Sequence, residues 1–212
     1  LELACAPFNS DEGKSYFSAM SAAANFAWAN RQIITFQIRN SWEKVFGKNS
    51  KVNILYDVAH NIAKIEKHRI NNEDKNVIVH RKGATRAFPP NHPEIPLKYK
   101  KVGQPVLIPG SMGTNSYVLA GQEASMRESF GSACHGAGRL LSRTAARKNI
   151  PVNSLLNELA DKGILIQTGS MKGVTEEAPQ AYKNVEQVVD VVCNANIAKK
   201  IARLKPMGVI KG

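Results

Sequence analysis

Cys134-His135-Gly136-Ala137-Gly138-Arg139 sets one imidazole ahead of three small residues and a guanidinium. Small residues let a backbone approach a ligand closely and turn its N–H groups toward an anion. The arginine adds a rigid fork of donors suited to phosphate. Leu140–Lys148 then reads as a helix, which would place the glycines at its N-terminus. A histidine held over a phosphate site can bind a metal, move a proton or attack phosphorus itself. The same six residues also fit a turn in which the histidine hydrogen-bonds locally.

Three further segments hold unusual residue sets. In Asp57-Val58-Ala59-His60-Asn61, an imidazole and an amide stand side by side after the strand pattern Val52–Asp57. They suit a metal ligand beside a group that grips a phosphate or base, or a strand-end turn with Asn in the left-handed region. His80–Pro90 places Arg81, Lys82 and Arg86 among Gly and Thr, which fits contact with backbone phosphates or a solvated loop. Pro109-Gly110-Ser111-Met112-Gly113-Thr114-Asn115-Ser116, between the strand patterns Val106–Ile108 and Ser116–Ala120, is a nucleotide cradle or a flexible connector. It ends in no Gly-Lys-Ser/Thr and holds no GxGxxG. The chain has no HExxH motif, and no Ser-His-Asp triad or carboxylate pair is evident.

The elements that must position these loops are mixed. Ser10–Gly13 carries helix-capping chemistry, and residues 14–47 repeat apolar residues at three- and four-residue steps. That spacing predicts one very long helix or two consecutive ones, with Phe17, Phe26, Trp28, Ile33, Phe36 and Trp42 as core rather than a base-stacking platform. Val52–Asp57, Val77–His80, Val106–Ile108, Ser116–Ala120 and Ile164–Ile166 read as strands. Asn71–Lys75 reads as a polar turn and Arg81–Pro93 as an irregular loop. Val152–Asp161 reads as a helix, and Asn184–Leu204 as a final amphipathic one. Without strict βαβ alternation the fold class is α+β: mixed sheets with a long N-terminal helical segment and a C-terminal amphipathic helix, in a single lobe 1–212.

Composition narrows the partner. Lys and Arg number 29 against 17 Asp and Glu, a formal net charge of +12. The cations are spread along the chain, so a folded positive face is expected, with nucleic acid the simplest partner. Cys5, Cys134 and Cys193 form no CxxC pair and suit a reducing, cytoplasmic compartment. No apolar run approaches the ~20 residues that span a bilayer, so no membrane partner is expected. The N-terminus lacks the pattern of a signal peptide.

Taken in order, Asp57–Asn61, His80–Arg86, Pro109–Gly113 and His135–Arg139 resemble the RtcB family of RNA ligases, as does the tail Gly208-Val209-Ile210-Lys211-Gly212. The resemblance runs the length of the chain and is strongest to the archaeal and eukaryotic branch. It implies an enzyme that uses GTP and manganese to join RNA 2′,3′-cyclic phosphate or 3′-phosphate ends to 5′-hydroxyl ends, in tRNA splicing and RNA repair. It implies His135 as the nucleophile that becomes a histidine–GMP and His60 as a manganese ligand. Asn61, Pro109, Gly110, Ser111, Met112, Ser116, Gly136, Ala137, Gly138 and Lys211 would bind the guanine nucleotide. RNA, such as tRNA halves, is the implied substrate, and archease a candidate helper. Arg81, Lys82, Arg86, Arg139 and Arg143 are the cations expected to face RNA phosphates, the last two one helical turn apart. The family's N-terminal region, which carries most ligands of its two manganese ions, has no counterpart in this chain, and Cys5 and Cys134 do not replace it. The chain is therefore expected to be a C-terminal part whose partner is the missing portion. The alternatives are a non-catalytic basic nucleotide- or RNA-binding module, and a phosphodiesterase that opens the cyclic phosphate and stops.

Overall fold

A computed structural model describes residues 4–169 and 171–206. Lys211 and the rest of the tail quoted above lie outside the described residues. The chain divides into two compact units, Leu1–Lys82 and Gly83–Gly212.

The first unit pairs one helix with one hairpin. Helix α1, Asp11–Phe46, is a single helix of 36 residues. It starts where Ser10 Oγ accepts the Gly13 N–H at 3.1 Å and stops at Gly47, whose φ of 84° suits glycine. Its length follows the apolar spacing, but its aromatics are not core. Phe26 is 76% exposed and Phe36 63%. The reason is geometric. One side of the helix, through Phe17, Met20, Ala24, Ala27, Trp28 and Ile38, is half-buried. The other side, through Ala19, Ala22, Phe26, Ala29, Ile33 and Phe36, is exposed. A helix packed along one face leaves the opposite stripe in water whatever its composition.

Strands β1, Asn61–Ile70, and β2, Glu73–Lys82, pair antiparallel from Asn61↔Lys82 to Ile70↔Glu73. Asn71 and Asn72 both take positive φ, 51° and 68°, the combination that matches the twist of a two-residue hairpin. The turn is thus shorter than Asn71–Lys75, and the strand after it longer than Val77–His80. Val52–Asp57 forms no strand. Side-chain bonds fasten its ends instead: Arg39 Nε donates to the Val52 carbonyl at 3.1 Å, and Arg31 Nε to Asp57 Oδ1 at 2.7 Å.

The second unit holds two small antiparallel sheets. Strand β3, Ala84–Arg86, lies inside the segment expected to be irregular and pairs with β6, Ser132–Cys134. Strands β4, Pro105–Ile108, β5, Ser116–Gly121, and β7, Ala198–Leu204, form a sheet in the order β4-β5-β7. Helices α2, Glu123–Ser129, α3, Arg143–Asn149, α4, Val152–Asp161, α5, Met171–Glu176, and α6, Val185–Asn194, complete it. The α+β class stands.

Two cores stabilise this unit. Val185, Val189 and Val192 of α6 join Val106, Ile108, Tyr117, Leu119 and Ala198 in the first. Leu155, Leu159, Val174 and Ala178 form the second, with Met112, Ile164 and Ile166 against it. Ile164–Ile166 is therefore a packed connector and not a strand; the Ile164 N–H bonds back to the Leu159 carbonyl at 2.8 Å. The helix expected over Asn184–Leu204 ends at Asn194. Asn196 turns the backbone left-handed at φ 52°, and the chain returns as β7 along β5. Short-range apolar spacing does not register that reversal, because Val, Ile and Ala suit both elements.

Candidate functional site

The second unit brings two of the small-residue loops together. His135 follows directly on β6, and its N–H bonds to the Gly83 carbonyl at 3.2 Å, extending the β3–β6 pairing by one residue. Its ring Nδ1 is buried. Gly136 faces the other loop: a β-carbon there would lie 4.0 Å from the Pro109 carbonyl oxygen. Ala137 is buried in the first core, and Gly138 takes φ 76°.

The Pro109–Ser116 loop is shaped by its own hydroxyls. Ser116 Oγ accepts the Gly110 N–H at 3.0 Å, and Thr114 Oγ1 accepts the Ser111 N–H at 2.7 Å. Gly110 is required by space, since a β-carbon would meet the Asn115 carbonyl oxygen at 2.1 Å. Met112 packs on the second core. At the loop's far end Asn115 Nδ2 donates to Glu186 Oε1 of α6 at 3.1 Å, and Tyr117 OH to the same oxygen at 3.3 Å. Thr114 and Glu186 were not singled out from sequence. A threonine four residues after a glycine in a turn is the signal for the first; nothing local marks the second.

Cys134 is half-buried, and burial pushes its thiol above the usual range. A thiol kept neutral is a weak nucleophile.

The glycines do not open a helix. Ser142 caps α3, its Oγ accepting the Ala145 N–H at 3.1 Å, and residues 139–142 intervene as a loop. Arg139 and Arg143 are thus not successive turns of one helix. Arg139 points into the protein. Its Nε donates to the Leu141 carbonyl at 3.0 Å, its Nη1 to Tyr182 OH at 2.9 Å and its Nη2 to the Glu176 carbonyl at 2.7 Å. Arg86 is turned inward too, with Nε to Gln104 Oε1 at 3.2 Å and Nη1 to Glu94 Oε2 at 2.6 Å. Arg143 sits 3.3 Å from Glu176 but is 69% exposed.

In the first unit Arg81 is buried in a bidentate pair with Glu66 at 2.7 and 2.8 Å, with His68 Nε2 3.1 Å from the same carboxylate. A guanidinium 3% exposed and so paired does not reach an RNA phosphate. Of the five cations expected on RNA, Lys82 and Arg143 remain presented to solvent. His60 is half-buried and Asn61 exposed, with Asn61 Nδ2 3.2 Å from His60 Nε2. Burial, then Arg31 and Lys82, hold the His60 imidazole below its ordinary pKa.

Among the described residues, no group of three or more His, Cys, Asp and Glu side chains lies where it would hold a metal ion. One imidazole does not make a manganese site, and the residues present do not fit that ion by themselves. Among the same residues, no helix is long and apolar enough to cross a membrane.

Comparison with known proteins agrees with the motifs. The family described as "tRNA-splicing ligase RtcB" matches residues 1–212. A tRNA-splicing ligase RtcB of Thermococcus kodakarensis is 60% identical over all of this chain, which covers 44% of that protein. Those of Pyrococcus abyssi and Methanococcus maripaludis are 58% and 54% identical, again over all of this chain and over 23% and 45% of their own lengths. The chain therefore spans less than half the length of these curated relatives. Matched from end to end by the family and carrying its ordered loops, the chain belongs to the RtcB family.

Proposed function

We propose that this chain is the nucleotidyl-transfer part of an RNA ligase that works in tRNA splicing and RNA repair. The observation that carries the reading is the approach of the His135 loop to the hydroxyl-shaped Pro109–Ser116 loop. An imidazole beside a cradle of hydroxyl donors suits attack on a nucleotide phosphate. In the proposed sequence the His135 nitrogen bonds to the α-phosphorus of GTP, and the bond from that phosphorus to pyrophosphate breaks. An oxygen of the RNA 3′-phosphate then takes the guanylate from His135. The 5′-hydroxyl of the second RNA attacks the activated 3′-phosphorus, and GMP leaves. A 2′,3′-cyclic phosphate must first open with water to enter this sequence.

Pro109, Gly110, Ser111, Met112, Ser116, Gly136, Ala137 and Gly138 are proposed to line the guanylate; for Asn61 and Lys211 a nucleotide contact rests on the family resemblance alone. Lys82 and Arg143 are the proposed RNA-phosphate contacts. Manganese, expected from the family resemblance, would neutralise phosphate charge when bound. This chain offers it His60, and the other ligands are proposed to come from the length of the relatives that the chain does not span.

The test is covalent labelling of the longer protein with α-labelled GTP and manganese. Label acquired by the parent and lost in His135→Ala supports the reading. Equal labelling of the two removes His135 from it. Joining of a 3′-phosphate RNA to a 5′-hydroxyl RNA separates ligation from a phosphodiesterase, and ligation by the isolated chain would contradict the need for further metal ligands.

A further inference from the structure

Arg139 was expected on RNA, yet its guanidinium is spent inside the protein. Nε, Nη1 and Nη2 each donate to a protein oxygen: the Leu141 carbonyl, the Tyr182 hydroxyl and the Glu176 carbonyl. Its Nη1 lies 3.7 Å from Glu177 Oε1, and its guanidinium carbon 4.8 Å from the centre of the Tyr182 ring. Tyr182 OH donates in turn to Glu177 Oε2 at 2.7 Å. Main-chain bonds run beside this cluster. The Lys183 N–H reaches the Gly138 carbonyl at 3.0 Å, and the Leu140 N–H the Ala181 carbonyl at 2.9 Å.

We propose that Arg139 is a positioning residue for the His135 loop. The loop is held at both ends: β6 fixes its entry, and the Arg139–Tyr182–Glu177 cluster fixes its exit to a segment some forty residues away. Gly136 and Gly138 supply the backbone freedom the loop needs, and that freedom is a cost when the imidazole must meet phosphorus in line. The cluster removes it. Arginine is the residue for this task, because its rigid planar fork reaches three separated acceptors in fixed directions, whereas a lysine gathers its three donors on one nitrogen at the end of a flexible stem. This role rests on the proposed function of His135, while the clamp itself does not.

The experiment uses the longer protein with the substitutions Arg139→Lys and Tyr182→Phe. Single-turnover guanylylation is followed across GTP concentrations, together with amide hydrogen exchange over residues 135–141. A positioning role predicts that R139K lowers the saturating rate by roughly 30-fold. Half-saturating GTP should move by less than about threefold. Y182F, which keeps the ring and loses the hydroxyl, should lower the rate in the same direction by about threefold to tenfold. The double variant should lose little more than R139K alone, since both act through one cluster. Exchange over 135–141 should quicken in both. If R139K does not fold, Y182F alone decides by the same two readouts.

A parental rate with parental exchange overturns the proposal. So does a loss confined to RNA affinity, with the salt slope reduced by about one, which would make Arg139 a phosphate ligand. A fall in melting temperature with rate and exchange unchanged would leave a purely structural role and also overturn it. If His135→Ala labels like the parent, the reading of His135 fails, and hydrogen exchange still decides whether the clamp exists.

Discussion

The two loops that meet in the second unit are fixed in opposite ways. The Pro109–Ser116 loop is shaped from within: its backbone N–H groups find hydroxyls three and six residues away. The His135 loop makes its anchoring contacts elsewhere, on β3 before it and on residues 176–183 after it. A loop of the first kind keeps its shape through short-range chemistry and is a suitable rigid cradle. One of the second kind depends on tertiary packing, so distant changes can move the group it carries. The difference sets the proposed binding role of one loop against the proposed positioning of the other, and it can be tested from both sides.

The strongest challenge is Gly110→Ala. Its β-carbon would meet the Asn115 carbonyl oxygen at 2.1 Å and Thr114 Oγ1 at 2.5 Å, so the loop must rearrange. The expected loss is about 3 kcal/mol in chemical denaturation, since overpacking against backbone has no cheap relief. A neutral variant would mean that the cradle is not held as described. Gly138→Ala comes next. Here there is room, the nearest atom being Lys183 Cδ at 4.0 Å, but φ of 76° penalises any β-carbon. About 1–2 kcal/mol is expected from the left-handed backbone alone. Thr114→Val, which keeps shape and deletes the acceptor for the Ser111 N–H, should cost about 1 kcal/mol, with Thr114→Ser close to parental. Equal costs for valine and serine would show that the hydroxyl is not what holds the cradle.

The same contrast explains what the sequence could disclose. The internally shaped loop is legible, because Gly, Ser and Thr at short spacing carry their own reason for folding. The long helix is legible in extent for a similar reason, its cap and its apolar steps being local. Its burial is not, because the stripe through Phe26 and Phe36 has the same spacing as the packed one through Met20 and Ala24. Spacing states that a face is apolar and leaves open what covers it. Arginines are the hardest case. A net charge of +12 fits a polyanion-binding surface, yet Arg81, Arg86 and Arg139 all turn inward. Their acidic partners Glu66, Glu94 and Glu177 stand 8 to 38 residues away, a spacing that leaves no mark in the local pattern. The order of the loops is thus open to a sequence reading, whereas the direction of a long side chain that chooses between solvent and a distant carboxylate is not.

The smallest expected effect discriminates the two loops most cleanly, because only one of them is anchored on a phenol whose titration is shifted. Burial, and then Glu177, raise the Tyr182 phenol above its ordinary value of 10.0, against the opposing pull of Arg139. The folded protein thus holds this proton where the unfolded chain has released it. Between the ordinary value and the raised one the unfolded state binds fewer protons, so stability falls as pH rises. Below about pH 10 the contribution is fully present. A phenolate would still accept from Arg139 but would face Glu177 as a like charge, having lost the proton it donates at 2.7 Å. The clamp on the His135 loop should therefore loosen in alkali, while the Pro109–Ser116 loop, held by hydroxyls that do not titrate there, should not. Hydrogen exchange over 135–141 and over 109–116, corrected for the intrinsic rise with pH, reads the two loops separately. The first should lose protection above pH 10 in the parent, and Tyr182→Phe should abolish that step. A parallel loss in both loops would point to global unfolding, and a step that persists in Tyr182→Phe would assign it to another group.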